Sequence, residues 1–181
     1  KNILALRGDP PAGQVDFKPV ETGFSCALDL LRFLKEKTGS KFSLSCAGYP
    51  EGHPQRIKRV AELGRALTPR EATRVSTDLV TGEEWVCTDE DYQLELAYLK
   101  DKVDAGAEVV VTQLFFDVRV FFDFVDDCRR VGITVPIVPG IMCITSVAGF
   151  KRMTAFCKTR VPPELAASMK QLEGKDADAV K

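Results

Sequence analysis

The 181-residue chain has a single histidine and a single tryptophan, and none of its six cysteines is paired at CxxC spacing. Cys/His zinc chemistry needs paired ligands, so no metal is expected. The scattered cysteines at 26, 46, 87, 128, 143 and 157 read instead as reduced small hydrophobes of a cytosolic protein. No apolar run reaches the length of a membrane span and no signal peptide is visible, so a cytoplasmic location without a membrane partner is expected. An excess of one charge is also missing. The 25 Lys and Arg nearly balance the 26 Asp and Glu, and there is no basic stripe to suggest a nucleic-acid partner. The first loop lacks GxGxxG, which leaves a Rossmann-type dinucleotide fold unsupported.

What is present is a balanced composition, 45% hydrophobic and 28% charged, ample for one packed domain. Near the start, Asn2-Ile3-Leu4-Ala5-Leu6 runs into Arg7-Gly8-Asp9-Pro10-Pro11. The apolar run predicts a buried strand over 2–8, and the prolines force an exit because they cannot continue a ladder. Apolar positions Phe24, Ala27, Leu28, Leu31 and Leu34 predict a helix over 22–38, stopped by Gly39. Alternation predicts a strand over 42–47. A helix over about 90–105 follows, opened by Thr88 and Asp91 in the manner of a capping box. A buried strand at 107–115, a helix at 118–131, a strand at 133–141 and helices at 146–158 and 163–172 complete the alternation. The stretch 55–91 interrupts it. Ile57, Val60, Ala61 and Leu67 have helical spacing, whereas Thr68 to Asp91 is polar and reads as an insertion with a flexible portion.

Four rounds of strand and helix imply a parallel sheet with crossover helices. A (β/α)8 barrel is favoured, but that fold takes roughly 250 residues and eight strands. The expectation is therefore a partial barrel, with about four of the eight strand–helix units present and further strands missing at both ends. In a barrel, all strand ends face one pocket. Arg7, Gly8 and Asp9 close the first strand, Tyr49 and His53 follow the second, Gln113 lies in the third with Asp117 beyond it, and Pro139-Gly140 closes the fourth. Arg7 is a fixed cation suited to phosphate or carboxylate, and Gly8 lets a flat ring approach the backbone. Asp9 can accept from a heterocycle N–H; a plain ion pair with Arg7 is the other reading. His53 is either a site residue or a loop and packing residue. Gln113 fits poorly within Val-Val-Val-Thr-Gln-Leu-Phe-Phe unless its amide meets a partner, either a heterocycle edge or the backbone.

Five motifs carry a resemblance. Leu4-Ala-Leu-Arg-Gly-Asp-Pro10, Ala47-Gly-Tyr-Pro-Glu-Gly-His-Pro54, Leu99-Lys-Asp-Lys-Val-Asp-Ala-Gly-Ala107, Thr112-Gln-Leu-Phe-Phe-Asp117 and Pro136-Ile-Val-Pro-Gly-Ile141 are similar, in order, to the methylenetetrahydrofolate reductase family. The resemblance spans the chain apart from 55–91. It implies a flavin-containing barrel that passes a hydride from NADH or NADPH to FAD and then to 5,10-methylenetetrahydrofolate, giving 5-methyltetrahydrofolate. It implies FAD contacts at Arg7, Gly8, Asp9, Ala27, Ala47, Tyr49, His53, Glu95, Tyr98 and Lys102. Asp9 is also implied as the catalytic residue and, with Gln113, as a folate contact. A homo-oligomer is implied as well. The family's catalytic Glu, its further flavin-binding Thr and His and a substrate-binding Arg have no counterpart in these residues. Cys143 stands where a proline is usual, and Gly149 where a folate-contacting Gln is usual. A non-catalytic or binding-only form of the barrel is the alternative expectation.

Overall fold

The computed structural model describes residues 1–8 and 17–175. Four parallel strands form the main sheet: β1 (Asn2–Ala5), β2 (Ser43–Gly48), β6 (Val109–Leu114) and β7 (Ile137–Gly140), in the order β1-β2-β6-β7. Spatial order follows chain order, so every crossover steps to the next strand in one direction. Right-handed crossovers then put the connecting helices on one face, which is the winding of a barrel rather than of a two-faced open sheet. Those helices are α1 (Ala27–Thr38), α3 (Asp89–Asp104) and α4 (Val118–Arg130); α5 (Val147–Cys157) and α6 (Pro163–Gln171) come after β7.

Burial follows the two-residue period of the strands. Ala5, Leu44, Cys46 and Val110 are buried with Leu31 of α1, Leu96 and Leu99 of α3, and Phe124 and Cys128 of α4. The opposite face is open, with Leu4 43% and Leu6 51% exposed. It is the face that lines the lumen in a barrel. All six cysteines are free thiols; Cys46, Cys87, Cys128 and Cys157 are buried, as their reading as small hydrophobes expects, whereas Cys143 is exposed and Cys26 half-buried.

The predicted alternation holds, with shorter elements. The last strand begins at Ile137 rather than Ile133. Pro136 has no N–H to give, and the carbonyls of Ile133 and Val135 are taken by the Arg129 guanidinium. The first helix starts at Ala27 rather than residue 22, with Phe24 folded back on Phe33 at 5.1 Å between ring centroids.

The stretch 55–91 departs most from expectation. No helix forms over 55–67; short 3-10 turns at Pro54–Arg56 and Val60–Glu62 flank strand β3 (Ile57–Arg59). With β4 (Ser76–Thr77) and β5 (Glu84–Cys87) it makes a separate antiparallel sheet ordered β3-β5-β4. The helical spacing loses to long-range pairing: Ile57 pairs with Cys87 and Lys58 with Val86. Between β3 and β4, α2 (Pro69–Thr73) opens on a full capping box in which Thr68 Oγ1 accepts from Glu71 N and Glu71 accepts from Thr68 N. The box expected at Thr88 is only half made, because its hydroxyl accepts from Asp91 N while the Asp91 carboxylate takes the Thr88 hydroxyl.

Candidate functional site

A cavity of about 440 Å³ opens at the carboxyl ends of β1 and β2. Leu6 and Arg7 follow β1, Ala47 lies in β2, and Tyr49 and His53 sit in the turn after it. Cys26 and Ala27 enter from the start of α1, and Gln55 and Arg56 from the 3-10 turn. Glu95, Tyr98 and Lys102 complete the wall from α3. Their spacing of three and four residues puts all three on one helical face. Eight of the residues expected at a cofactor site thus share one cavity: Arg7, Ala27, Ala47, Tyr49, His53, Glu95, Tyr98 and Lys102. Gly8 is not among its lining residues. Asp9, with Pro10 and Pro11, lies outside the described residues. Gln113 is on the lumen face of β6, away from this cavity, and its Oε1 accepts from Leu114 N at 2.9 Å. The backbone alternative for that amide is therefore realised at its oxygen, leaving the NH2 group for another partner.

Electrostatically the cavity is positive. Lys102 is 4% exposed, donates to Ala47 O at 2.6 Å and lies 4.9 Å from the Tyr98 ring centre. A carbonyl and a ring face its ammonium, and burial lowers its pKa despite the attraction of Cys46 and Glu95. The Glu95 carboxylate is bound by Arg56 Nε at 2.6 Å, while burial still raises its pKa. Burial, reinforced by the positive charges of Arg7, Lys102 and Arg56, pushes the His53 pKa down to about 4, so its ring is neutral at pH 7. Its Nδ1 accepts from Gln55 N at 3.2 Å, which places the ring proton on Nε2. The Tyr49 and His53 rings meet edge to face at 4.7 Å. The result is a cleft with three cations, a neutral imidazole and two phenol rings, suited to an anionic ligand that carries flat rings.

A second cavity of about 570 Å³ lies between α2 and α4, with Pro50 of the turn after β2 and Tyr92 of α3 also in its wall. Its arginines are ion-paired, Arg74 with Asp89 and both Arg70 and Arg130 with the single Asp127 carboxylate, and Asp123 in the wall further offsets their charge.

Sequence reasoning missed Cys26, Gln55 and Arg56. Arg56 reaches the cavity through Glu95, 39 positions away, a pairing that no local pattern announces. Among the described residues no group of three or more His, Cys, Asp or Glu is placed to hold a metal ion, and no helix is long and apolar enough to cross a membrane.

Singly wound βα units with a cleft at their strand ends, four parallel strands of them among the described residues, define the class: part of an α/β barrel. All of residues 1–181 match the methylenetetrahydrofolate reductase family profile, and the chain belongs to that family, whose fold is a (β/α)8 barrel. "Methylenetetrahydrofolate reductase (NADH) 1" of Arabidopsis thaliana is 48% identical over 181 residues, covering all of this chain and 26% of that protein. Its namesake in Zea mays is 49% identical over 169 residues, covering 93% of the chain and 24% of that protein. "Probable methylenetetrahydrofolate reductase (NADPH)" of Caenorhabditis elegans is 36% identical over 181 residues, covering 99% and 22%. The chain spans about a quarter of the length of these relatives.

Proposed function

We propose that these residues form part of a flavin-dependent barrel that reduces 5,10-methylenetetrahydrofolate to 5-methyltetrahydrofolate at the expense of NADH or NADPH, with the strand-end cavity as the FAD site. The observation that carries this reading is Lys102, a buried ammonium met by a carbonyl and a ring instead of a carboxylate, beside Arg7 and Arg56. An anion entering the cleft supplies the missing countercharge, and a dinucleotide pyrophosphate is such an anion. The donor set fits the rest of FAD. Glu95 can accept from ribose hydroxyls, Tyr49 and His53 offer ring surfaces, and about 440 Å³ lies within the usual range for cofactor pockets.

When bound, the flavin supplies the hydride transfer between nicotinamide and folate. The chain's own groups bind and orient. Arg7 follows β1 into the cleft, while the flavin contact of Gly8 and the sharing of Asp9 between cofactor and folate rest on the family resemblance. Neutral His53 donates from Nε2 without adding a fourth positive charge. The Gln113 NH2 group donates to the pterin edge, its carbonyl already engaged by Leu114 N. The remaining cofactor positions, Ala27 and Ala47, are small and leave room at the wall.

The test is the visible spectrum of the full-length protein. A yellow protein that is bleached by NADH or NADPH and recoloured by 5,10-methylenetetrahydrofolate is expected. A protein that binds no flavin on reconstitution refutes the assignment.

A further inference from the structure

Glu51 is 5% exposed in the middle of the Tyr49–His53 turn, yet it is not one of the cavity residues. Its Oε1 accepts from Arg160 N at 2.7 Å, across 109 positions of sequence. The Arg160 side chain carries the connection further. Its Nε donates to Asp117 Oδ2 at 3.0 Å, at the start of α4, and its Nη1 donates to Val75 O at 2.9 Å, just before β4. One residue of the α5–α6 connection therefore ties together the turn after β2, the 55–91 segment and the cap of α4. The turn itself is tightly specified: Gly52 N donates to Tyr49 O at 3.0 Å, and Gly52 has φ 96°. Moving Glu51 moves the two rings on either side of it.

We propose that Glu51 is a positioning residue, which through its bond to Arg160 N holds the Tyr49 and His53 rings in the cofactor-binding arrangement. This rests on the flavin reading of the cavity. The bond itself survives ionisation, because Arg160 N–H donates at least as well to a carboxylate, but a charge is costly in this buried turn. Burial, with a contribution from the Asp117 carboxylate, raises the Glu51 pKa to about 8 against the pull of Arg160. Arg160 is shared with Asp117, which Arg119 also pairs. The folded protein thus holds a proton on Glu51 that the unfolded chain releases near pH 4.5, and the stability of this arrangement falls as pH rises from there through about 8. The neutral carboxyl is therefore the form that holds the turn at least cost, and the Glu51 share of flavin affinity weakens as pH rises through about 8, alongside the loss of charge on Lys102, whose pKa burial lowers.

The experiment uses the full-length protein with Glu51→Gln and Glu51→Ala, reading the FAD dissociation constant at pH 7 and 9. Hydrogen exchange of residues 49–56 is read in parallel on apo-protein, corrected for intrinsic rates. Glu51→Gln keeps a neutral acceptor, so it should bind FAD within about twofold of the parent at pH 7 and weaken less than the parent between pH 7 and pH 9, the remainder being the Lys102 share. Glu51→Ala should bind about tenfold more weakly than the parent at pH 7, with a smaller difference at pH 9 and with exchange in 49–56 at pH 7 faster by a similar factor. An alkaline weakening as steep in Glu51→Gln as in the parent, or unchanged affinity in Glu51→Ala, overturns the proposal. If neither parent nor variants bind FAD, the cofactor reading fails, while the exchange data still decide the positioning role. Faster exchange in Glu51→Ala with Glu51→Gln unchanged sustains that role, and no difference between the two removes it.

Discussion

Replacing Lys102 by Met separates what this lysine does for the fold from what it does for a ligand. Met fills most of the volume of the lysine stem and removes the charge. Lys102 is 4% exposed, and its ammonium has one hydrogen bond at 2.6 Å and one ring contact as compensation. The lowered pKa expresses the same cost: burial of the charge is not fully repaid. Removing the charge relieves that cost but strands the Ala47 carbonyl, worth about 1 kcal/mol, so apo stability should change by less than about 1 kcal/mol. The pH sign follows. With its folded pKa depressed below 10.5, Lys102 penalises the fold most at low pH, and the penalty is relieved as pH rises through the lowered value. Binding should respond in the other direction. A charge-assisted contact to a phosphate is worth about 1.5–3 kcal/mol, so FAD should bind roughly 10- to 150-fold more weakly. Urea unfolding of the apo-protein and a flavin-fluorescence titration measure the two quantities on the same sample. A variant that unfolds several kcal/mol more easily, or one that keeps parental FAD affinity, refutes the assignment of Lys102 to the cofactor phosphates.

The other predictions concern the frame and the substrate side. Gly52→Ala forces a Cβ to within 2.6 Å of Cys87 Cβ and Sγ at a φ of 96°, and should cost about 2–4 kcal/mol in urea unfolding. Glu71, whose pKa the Arg65 hydrogen bonds bring down to about 2, contributes stability that is present above pH 4.5 and lost as pH falls toward 2; Glu71→Gln should flatten that acid dependence in thermal melts, and an unchanged profile would remove Glu71 from the account. Gln113→Glu should weaken folate binding while FAD stays bound, and loss of flavin with intact folate affinity would reverse the roles of the two regions. Asp9→Asn should slow the folate half-reaction more than flavin reduction by NADH or NADPH in stopped-flow absorbance, equal slowing being the result that dismisses its pterin role.

The parts legible in sequence were those set by local periodicity. Helices α3 and α4 end within about a residue of their predicted limits because Gly106 and Gly132 adopt positive φ just past them. The grouping of Tyr49, His53, Glu95, Tyr98 and Lys102 came from motif resemblance, and the structure gives its physical basis: β2 and α3 pack against each other, so the turn after β2 and one face of α3 share a cavity. What periodicity could not supply was the 55–91 segment. Its strands are two to four residues long, and the register of Arg59 opposite Trp85 depends on a partner 26 positions away.

That segment bears on the site more than its polar composition suggests. Arg56 leaves it to bind Glu95, Lys58 binds Asp91 at 2.6 Å on the same helix, and Arg74 pairs with Asp89 at that helix's start. Three carboxylates along α3 are thus held by cations from the 55–91 segment. Two of those carboxylates lie outside the cavity, so their pairs serve to seat the segment on α3. The third, Glu95, is a cavity residue, and Arg56 binds it. A ribose that claims Glu95 must therefore share it with Arg56 or displace that guanidinium toward the phosphates. In either case, ligand binding in the cleft and the seating of the 55–91 segment act on the same ion pair.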